Sequence, residues 1–379
     1  MKKLAAATLI AFLISACANT IDPALFGLFS SPETAWRSKK IKREGEVWQL
    51  KQEQQLDPRT IAYTFKGRRY ILTDYLAHTS TTALLIVKDG EVLFETYQHG
   101  CKPSNRFLSA SMAKTITAML IGIALEEGKI KSLDDTVETY VPELRGTGYG
   151  KATIRHLLTM TSGVKWEEDY VNPDSDFGRF TECLLSGKGC ASSLGFLRQF
   201  NEQANPPGSK FHYSSAGTMV LGYVLRAATK QGVTSYTQEK LWSKLGAEDD
   251  AAWMTDRDGI ECVFGRFAAT LRDYGRLGML MANQGARETQ QIVPLSYWKE
   301  MISAPPVESR AAGSFIWYGY QLWLTPNAGV FSFVGLRGQR IQVDVKQKLV
   351  MVRLAVAGVG DTDDSLELVA LWEAVRRLR

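Results

Sequence analysis

The sequence predicts an α+β fold: one antiparallel sheet assembled from segments near both ends of the chain, flanked by helices, with a mainly helical lobe inserted. Three observations carry this. Strand-like apolar runs cluster at residues 82–94 and again after residue 320, the stretch between them has helical apolar spacing, and strands and helices nowhere alternate as βαβ units require. At 379 residues the chain exceeds what one small core needs, so one large domain or two intimately packed lobes are expected. Hydrophobic residues at 45% and charged residues at 22% exclude a disordered or fibrous class. The net charge of +5 is spread along the chain with no basic block among aromatics, which speaks against a nucleic-acid binder.

Taken in order, Lys2 and Lys3 precede an apolar run over residues 4–14, followed by Ser15, Ala16 and Cys17. A positive start, an apolar stretch too short to span a bilayer and small residues at its end predict an export signal over residues 1–16. Ile14-Ser15-Ala16-Cys17 also resembles a bacterial lipobox, which implies lipidation of Cys17, membrane anchoring and a periplasm-facing protein. Ala18 fits outer-membrane sorting in a Gram-negative host. Residues 17–79 include a polar stretch without clear period and read as a tether and irregular lead-in. Residues 80–379 read as the functional domain.

Residues 83–87 and 92–94 flank Asp89-Gly90, the pattern of a β-hairpin. A helix is expected from Ser111, because Ile116, Met119, Leu120 and Ile123 recur at helical spacing and Gly128 stands at a C-terminal stop. Further helices are expected near 216–229 and 268–283, with a polar loop near 166–179 before them. Strands are expected at 320–324, 330–333, 339–344 and 349–356, and a last helix at 364–378. With Cys17 set aside, four cysteines remain, and in an oxidising compartment disulfides are plausible. Cys183–Cys190 closes a short loop and is favoured, with Cys101–Cys262 as the second pair. No zinc spacing occurs and there are only four histidines, so no metal or other cofactor is expected.

The chain lacks a Gly-x-Ser-x-Gly elbow, a His-Glu-x-x-His motif, a phosphate loop and a dinucleotide fingerprint. Ser-x-x-Lys remains, at Ser111–Lys114, Ser162–Lys165 and Ser296–Lys299. Only Ser111 opens a strongly apolar helix. Residues i and i+3 of a helix share a face, so Lys114 can reach the Ser111 hydroxyl. Keeping such a lysine neutral at pH 7 costs roughly 4.6 kcal/mol, so the site must desolvate it or offer its proton another acceptor. Tyr213, in Phe211-His212-Tyr213-Ser214-Ser215, is the candidate: a tyrosine beside an ammonium can have a depressed pKa and act as a base.

Taken together, Ser111-Met112-Ala113-Lys114, Leu157-Leu158-Thr159-Met160-Thr161-Ser162-Gly163, Tyr213-Ser214-Ser215, Thr270-Leu271-Arg272-Asp273-Tyr274-Gly275 and Gly335-Leu336-Arg337-Gly338 resemble the serine β-lactamase and penicillin-binding-protein superfamily. The resemblance covers roughly residues 80–375. It implies an acyl-enzyme on Ser111, proton relay by Lys114 and Tyr213, an oxyanion hole from the N–H groups of Ser111 and Leu336, and a polar role for Ser215. Class C β-lactamases and DD-peptidases are similar to one another in carrying Lys-Thr-Gly or His-Thr-Gly at the third motif. Here Phe333-Val334-Gly335 has no cation, and Arg337 is the candidate substitute. Ser215 stands where β-lactamases carry Asn.

These departures resemble the esterase and 6-aminohexanoate-oligomer hydrolase branch, which implies a small ester or amide substrate. In that branch the loop holding Tyr170 and Asp176 rims the pocket, making both candidate substrate contacts. The rival readings are a β-lactamase or DD-peptidase acting on β-lactams or cell-wall peptides, and a non-catalytic binding lipoprotein.

Overall fold

Residues 83–87 form an apolar run without a break, the signature of a strand covered on both faces, and the whole fold is laid out around it. The computed structural model describes residues 21–52, 54–303 and 317–378. In chain order the elements used below are α1 (Pro23–Ser30), β1 (Ser38–Ile41), β2 (Ala62–Phe65), β3 (Arg68–Ile71), α2 (Leu72–His78), β4 (Thr81–Lys88), β5 (Glu91–Tyr97) and β6 (Phe107–Leu108). The helices α3 (Ala113–Glu126), α4 (Asp176–Ser186) and α5 (Ser215–Thr229) follow. After them come β7 (Ala251–Met254), β8 (Phe267–Ala269), α6 (Leu271–Ala282), β9 (Trp317–Tyr318), β10 (Trp323–Leu324), β11 (Val330–Gly335), β12 (Gln339–Asp344), β13 (Leu349–Ala355) and α7 (Thr362–Val375).

The main sheet has seven antiparallel strands in the order β9-β10-β11-β12-β13-β4-β5, so its two halves come from opposite ends of the chain as expected. Asp89 and Gly90 both take positive φ (48° and 86°), the backbone that a two-residue hairpin demands. Side chains alternate between faces. Leu84, Ile86, Leu349 and Met351 pack with Leu368, Leu371 and Trp372 of α7. Leu85, Val87, Val350 and Val352 face the large core shared with α3 and α6. Close approach of α6 depends on Gly278, where an added Cβ would lie 2.5 Å from Val350 Cγ1 and 2.9 Å from Ile341 Cγ2.

A second, four-stranded sheet in the order β1-β7-β8-β6 supports the turn that carries Ser111. Here the expected irregular lead-in needs correction. Residues 38–41 pair with residues 251–254, and α1 helps close a small apolar cluster in which Phe29 meets Leu108 and Met254. The strand partners lie more than two hundred positions apart, which no local period reveals. The cysteines also divide. Cys183–Cys190 is bonded, whereas Cys101 and Cys262 are both free thiols. Cys101 follows the edge strand β5 of the main sheet, and Cys262 is buried between β7 and β8 of the other, so the expected second pair does not form. Among the described residues no helix is long and apolar enough to cross a membrane; Cys17 and the expected export signal, residues 1–16, lie outside those residues.

Candidate active site

Ser111 lies in the middle of a 3₁₀ turn, residues 110–112, wedged between β6 and α3. The expected α-helix starts two residues later, at Ala113. β6 is held by its pairing to β8, and the Ser109 N–H donates to the Phe267 carbonyl at 2.8 Å. The next residue, Ala110, takes φ +44°, a left-handed backbone that is uncommon outside glycine. The turn therefore presents Ser111 at the cleft while its neighbours Ala110 and Met112 are buried.

Lys114, one helical turn on, is 1% exposed. Its Nζ donates to the Phe264 carbonyl at 2.7 Å, to Ser215 Oγ at 3.0 Å and toward Ser111 Oγ at 3.2 Å. Burial drives its pKa down to about 7, against an opposing pull from the Glu168 charge. Near neutral pH a large share of Lys114 is thus the free amine that can take the Ser111 proton. The other two Ser-x-x-Lys pairs have no such setting. Lys165 is exposed and paired with Glu202, and Ser296 and Lys299 are both exposed.

Tyr213 is fixed by its neighbours. The His212 N–H donates to the Met160 carbonyl at 2.7 Å, the Ser214 N–H donates to Met160 Sδ at 3.3 Å, and the Tyr213 ring stacks on Trp323. Its ring centroid lies 4.9 Å from Lys114 Nζ. The expectation of a depressed phenol is reversed: burial, and then the Glu168 charge, push the Tyr213 pKa up, with a hydrogen bond to Ser111 as the opposing pull. With its pKa raised, the Tyr213 phenol is protonated at neutral pH and can donate a proton.

The group that the sequence reading passed over is Glu168. Its carboxylate accepts from the Ser215 N–H at 2.8 Å, the Tyr170 hydroxyl at 3.1 Å, the Trp166 indole N–H and the Ser215 hydroxyl. It sits at the N-terminus of the 15-residue α5, where a negative charge is favoured. Ser215 is free for this because Ser214 is the helix cap, accepting from the Gly217 N–H at 3.1 Å. Within Trp166-Glu167-Glu168-Asp169-Tyr170 nothing in the sequence separates this inward carboxylate from its two outward neighbours.

The remaining candidates divide. Gly335 ends β11 against the Ser111 turn, where a Cβ would lie 2.5 Å from the Ser109 carbonyl oxygen; only glycine allows that approach. Leu336 and Arg337 follow and border the same cleft as Ser111. Arg337, at φ +62°, donates from Nη1 to the Ala357 carbonyl at 2.9 Å. Arg340, unforeseen in the sequence, also borders the cleft. Tyr170 lines it and holds Glu168. Asp176 is not among the residues lining the cleft: as the first residue of α4 it accepts from the Glu167 N–H at 2.9 Å and pairs with Arg179, closing its own loop. Among the described residues no cluster of His, Cys, Asp and Glu could hold a metal ion.

Residues 70–376 match the Beta-lactamase family. A 6-aminohexanoate-dimer hydrolase from Paenarthrobacter ureafaciens is 27% identical over 351 residues, 88% of each chain. The solved structure named "Putative 6-aminohexanoate-dimer hydrolase from Bacillus anthracis" superposes with a TM-score of 0.81 at 25% identity, covering 94% of this chain and 95% of that one. A penicillin-binding protein from Bacillus halodurans shares the fold at a TM-score of 0.62 and 19% identity, over 79% of this chain and 98% of that one. With a family match over most of its length, this chain belongs to the Beta-lactamase family, a group of serine-hydrolase-type proteins of one α+β fold.

Proposed function

We propose that the protein hydrolyses small esters or amides through an acyl-enzyme on Ser111. The observation that supports it most is the buried Lys114 amine, held near pKa 7 within 3.2 Å of Ser111 Oγ. Ser111 Oγ attacks the acyl carbonyl carbon as its proton passes to Lys114 Nζ. The oxyanion is received by the Ser111 and Leu336 N–H groups. Tyr213 then gives its proton to the departing oxygen or nitrogen and is reprotonated from Lys114. Water enters, loses a proton along the reverse route and releases the acid. Glu168 and Ser215 hold Lys114 in place. No cofactor takes part in this scheme.

The test is hydrolysis of p-nitrophenyl butyrate by the domain lacking residues 1–17, wild type beside Ser111→Ala. Turnover lost in the variant supports the reading; equal turnover in both removes Ser111 from the role. A second reading, action on β-lactams or cell-wall peptides, draws on Arg337 and Arg340 at the cleft, since a cation there could seat a carboxylate. Stable acylation by a labelled penicillin would favour it. We further propose export and tethering through lipid on Cys17, on the strength of Ile14-Ser15-Ala16-Cys17. A Cys17→Ser variant that stays in the membrane fraction of its native host would count against this.

A further inference from the structure

The cleft at Ser111 has two arms, both with mostly apolar walls, and the second also carries several charged groups. One, of about 470 Å³, is walled by Leu25, Leu28 and Phe29 of α1, by Trp36, and by Phe177 and Leu185 of α4. The other, of about 580 Å³, is bordered by Glu168, Tyr213, Arg340, Asp361 and Asp364. Ser111 and Leu336 line both. Tyr213 borders only the second arm. In the mechanism above the departing group takes its proton from Tyr213, so it leaves by the arm that Tyr213 borders. The acyl group, bonded to Ser111, is left facing the arm walled by α1.

We propose that the acyl side of the substrate is an extended apolar chain, seated in the arm walled by α1, so that the substrate class is esters or amides of medium-chain fatty acids. This rests on the hydrolase reading of Ser111. The α1 side of this wall lies outside residues 70–376, the part that matches the family. A preformed apolar cavity of this size beside a reacting carbonyl gains from each methylene it covers, about fourfold in binding.

The experiment compares p-nitrophenyl acetate, butyrate, octanoate and decanoate. The expected result is kcat/KM rising about fourfold per methylene until the arm is full. Gly27 lines this arm, and a Cβ there meets nothing within 4 Å, so Gly27→Trp enters open space. It should lower the octanoate-to-acetate ratio of kcat/KM by about 60-fold, the worth of three methylenes. Leu185→Trp, on the α4 wall of the same arm, should act in the same direction and guards against misfolding of either variant.

A ratio that is flat with acyl length, or unmoved by both variants, overturns the proposal. So does a preference that follows alcohol length in a series of alkyl acetates instead. Loss of acetate turnover in Ser111→Ala checks the hydrolase reading separately. If no ester is cleaved, that reading fails while the arm is still tested by fluorescence of dansyl-undecanoate on Ser111→Ala. Binding displaced by decanoate and weakened by Gly27→Trp supports the arm; no binding overturns it.

Discussion

Glu168 and Lys114 bear on one another: burial lowers the Lys114 pKa and the Glu168 charge opposes that shift. Lys114 acts as a base only when neutral, and burial lowers its pKa to about 7. Protonation below that value removes the base, so kcat/KM should rise about tenfold per pH unit on the acid side and level off above it. The negative charge of Glu168 holds the Lys114 pKa up. Glu168→Gln should therefore move the acid limb to lower pH. It should also lower the plateau kcat/KM by about tenfold, the worth of one charged hydrogen bond. A pH profile whose limb stays put or moves upward would show that Glu168 does not act on Lys114 electrostatically. Thr181 offers a contrast, since its buried Oγ1 has no hydrogen-bond partner. Thr181→Val should be neutral or stabilising by up to about 1 kcal/mol in chemical denaturation, because no partner is orphaned.

Between elements, contact distance is set by glycines and by one disulfide. At Gly278 the helix α6 rests on β12 and β13 with no room for a side chain. Gly278→Ala should cost about 1–3 kcal/mol by overpacking, despite the gain in helix propensity, and denaturant midpoints will measure it. The hairpin, α3 and the terminal strands were legible because their apolar periods are unbroken over several residues. The pairing of β1 with β7 was not, since each strand is four residues long and the partner is remote. The loop near 166–179 shows the same limit at finer scale: the carboxylate it brings to Ser215 is Glu168, while Asp176 turns inward on its own loop.

Across the molecule, α7 is fastened to the sheet by a buried ion pair. Arg353, fully buried in β13, donates to both oxygens of Asp364 and to Thr81 Oγ1 at 3.0 Å. Asp364→Ala would strand the guanidinium and should destabilise the fold by about 3–5 kcal/mol, read by thermal or chemical denaturation. The residues of this pair sit 11 positions apart, yet the third partner comes from the other half of the sheet.

What the sequence determined by itself was the α+β class, the sheet drawn from both ends, the Ser111–Lys114 spacing and the short loop closed by Cys183–Cys190. Each follows from local period or spacing, which a linear chain carries openly. Tertiary structure alone decided that burial lowers the Lys114 pKa and raises that of Tyr213, that Glu168 binds Ser215 beside them, that Cys101 and Cys262 stay apart, and that α1 walls the cleft. Those outcomes depend on desolvation and on charges brought together from distant segments, and neither quantity exists until the chain has folded.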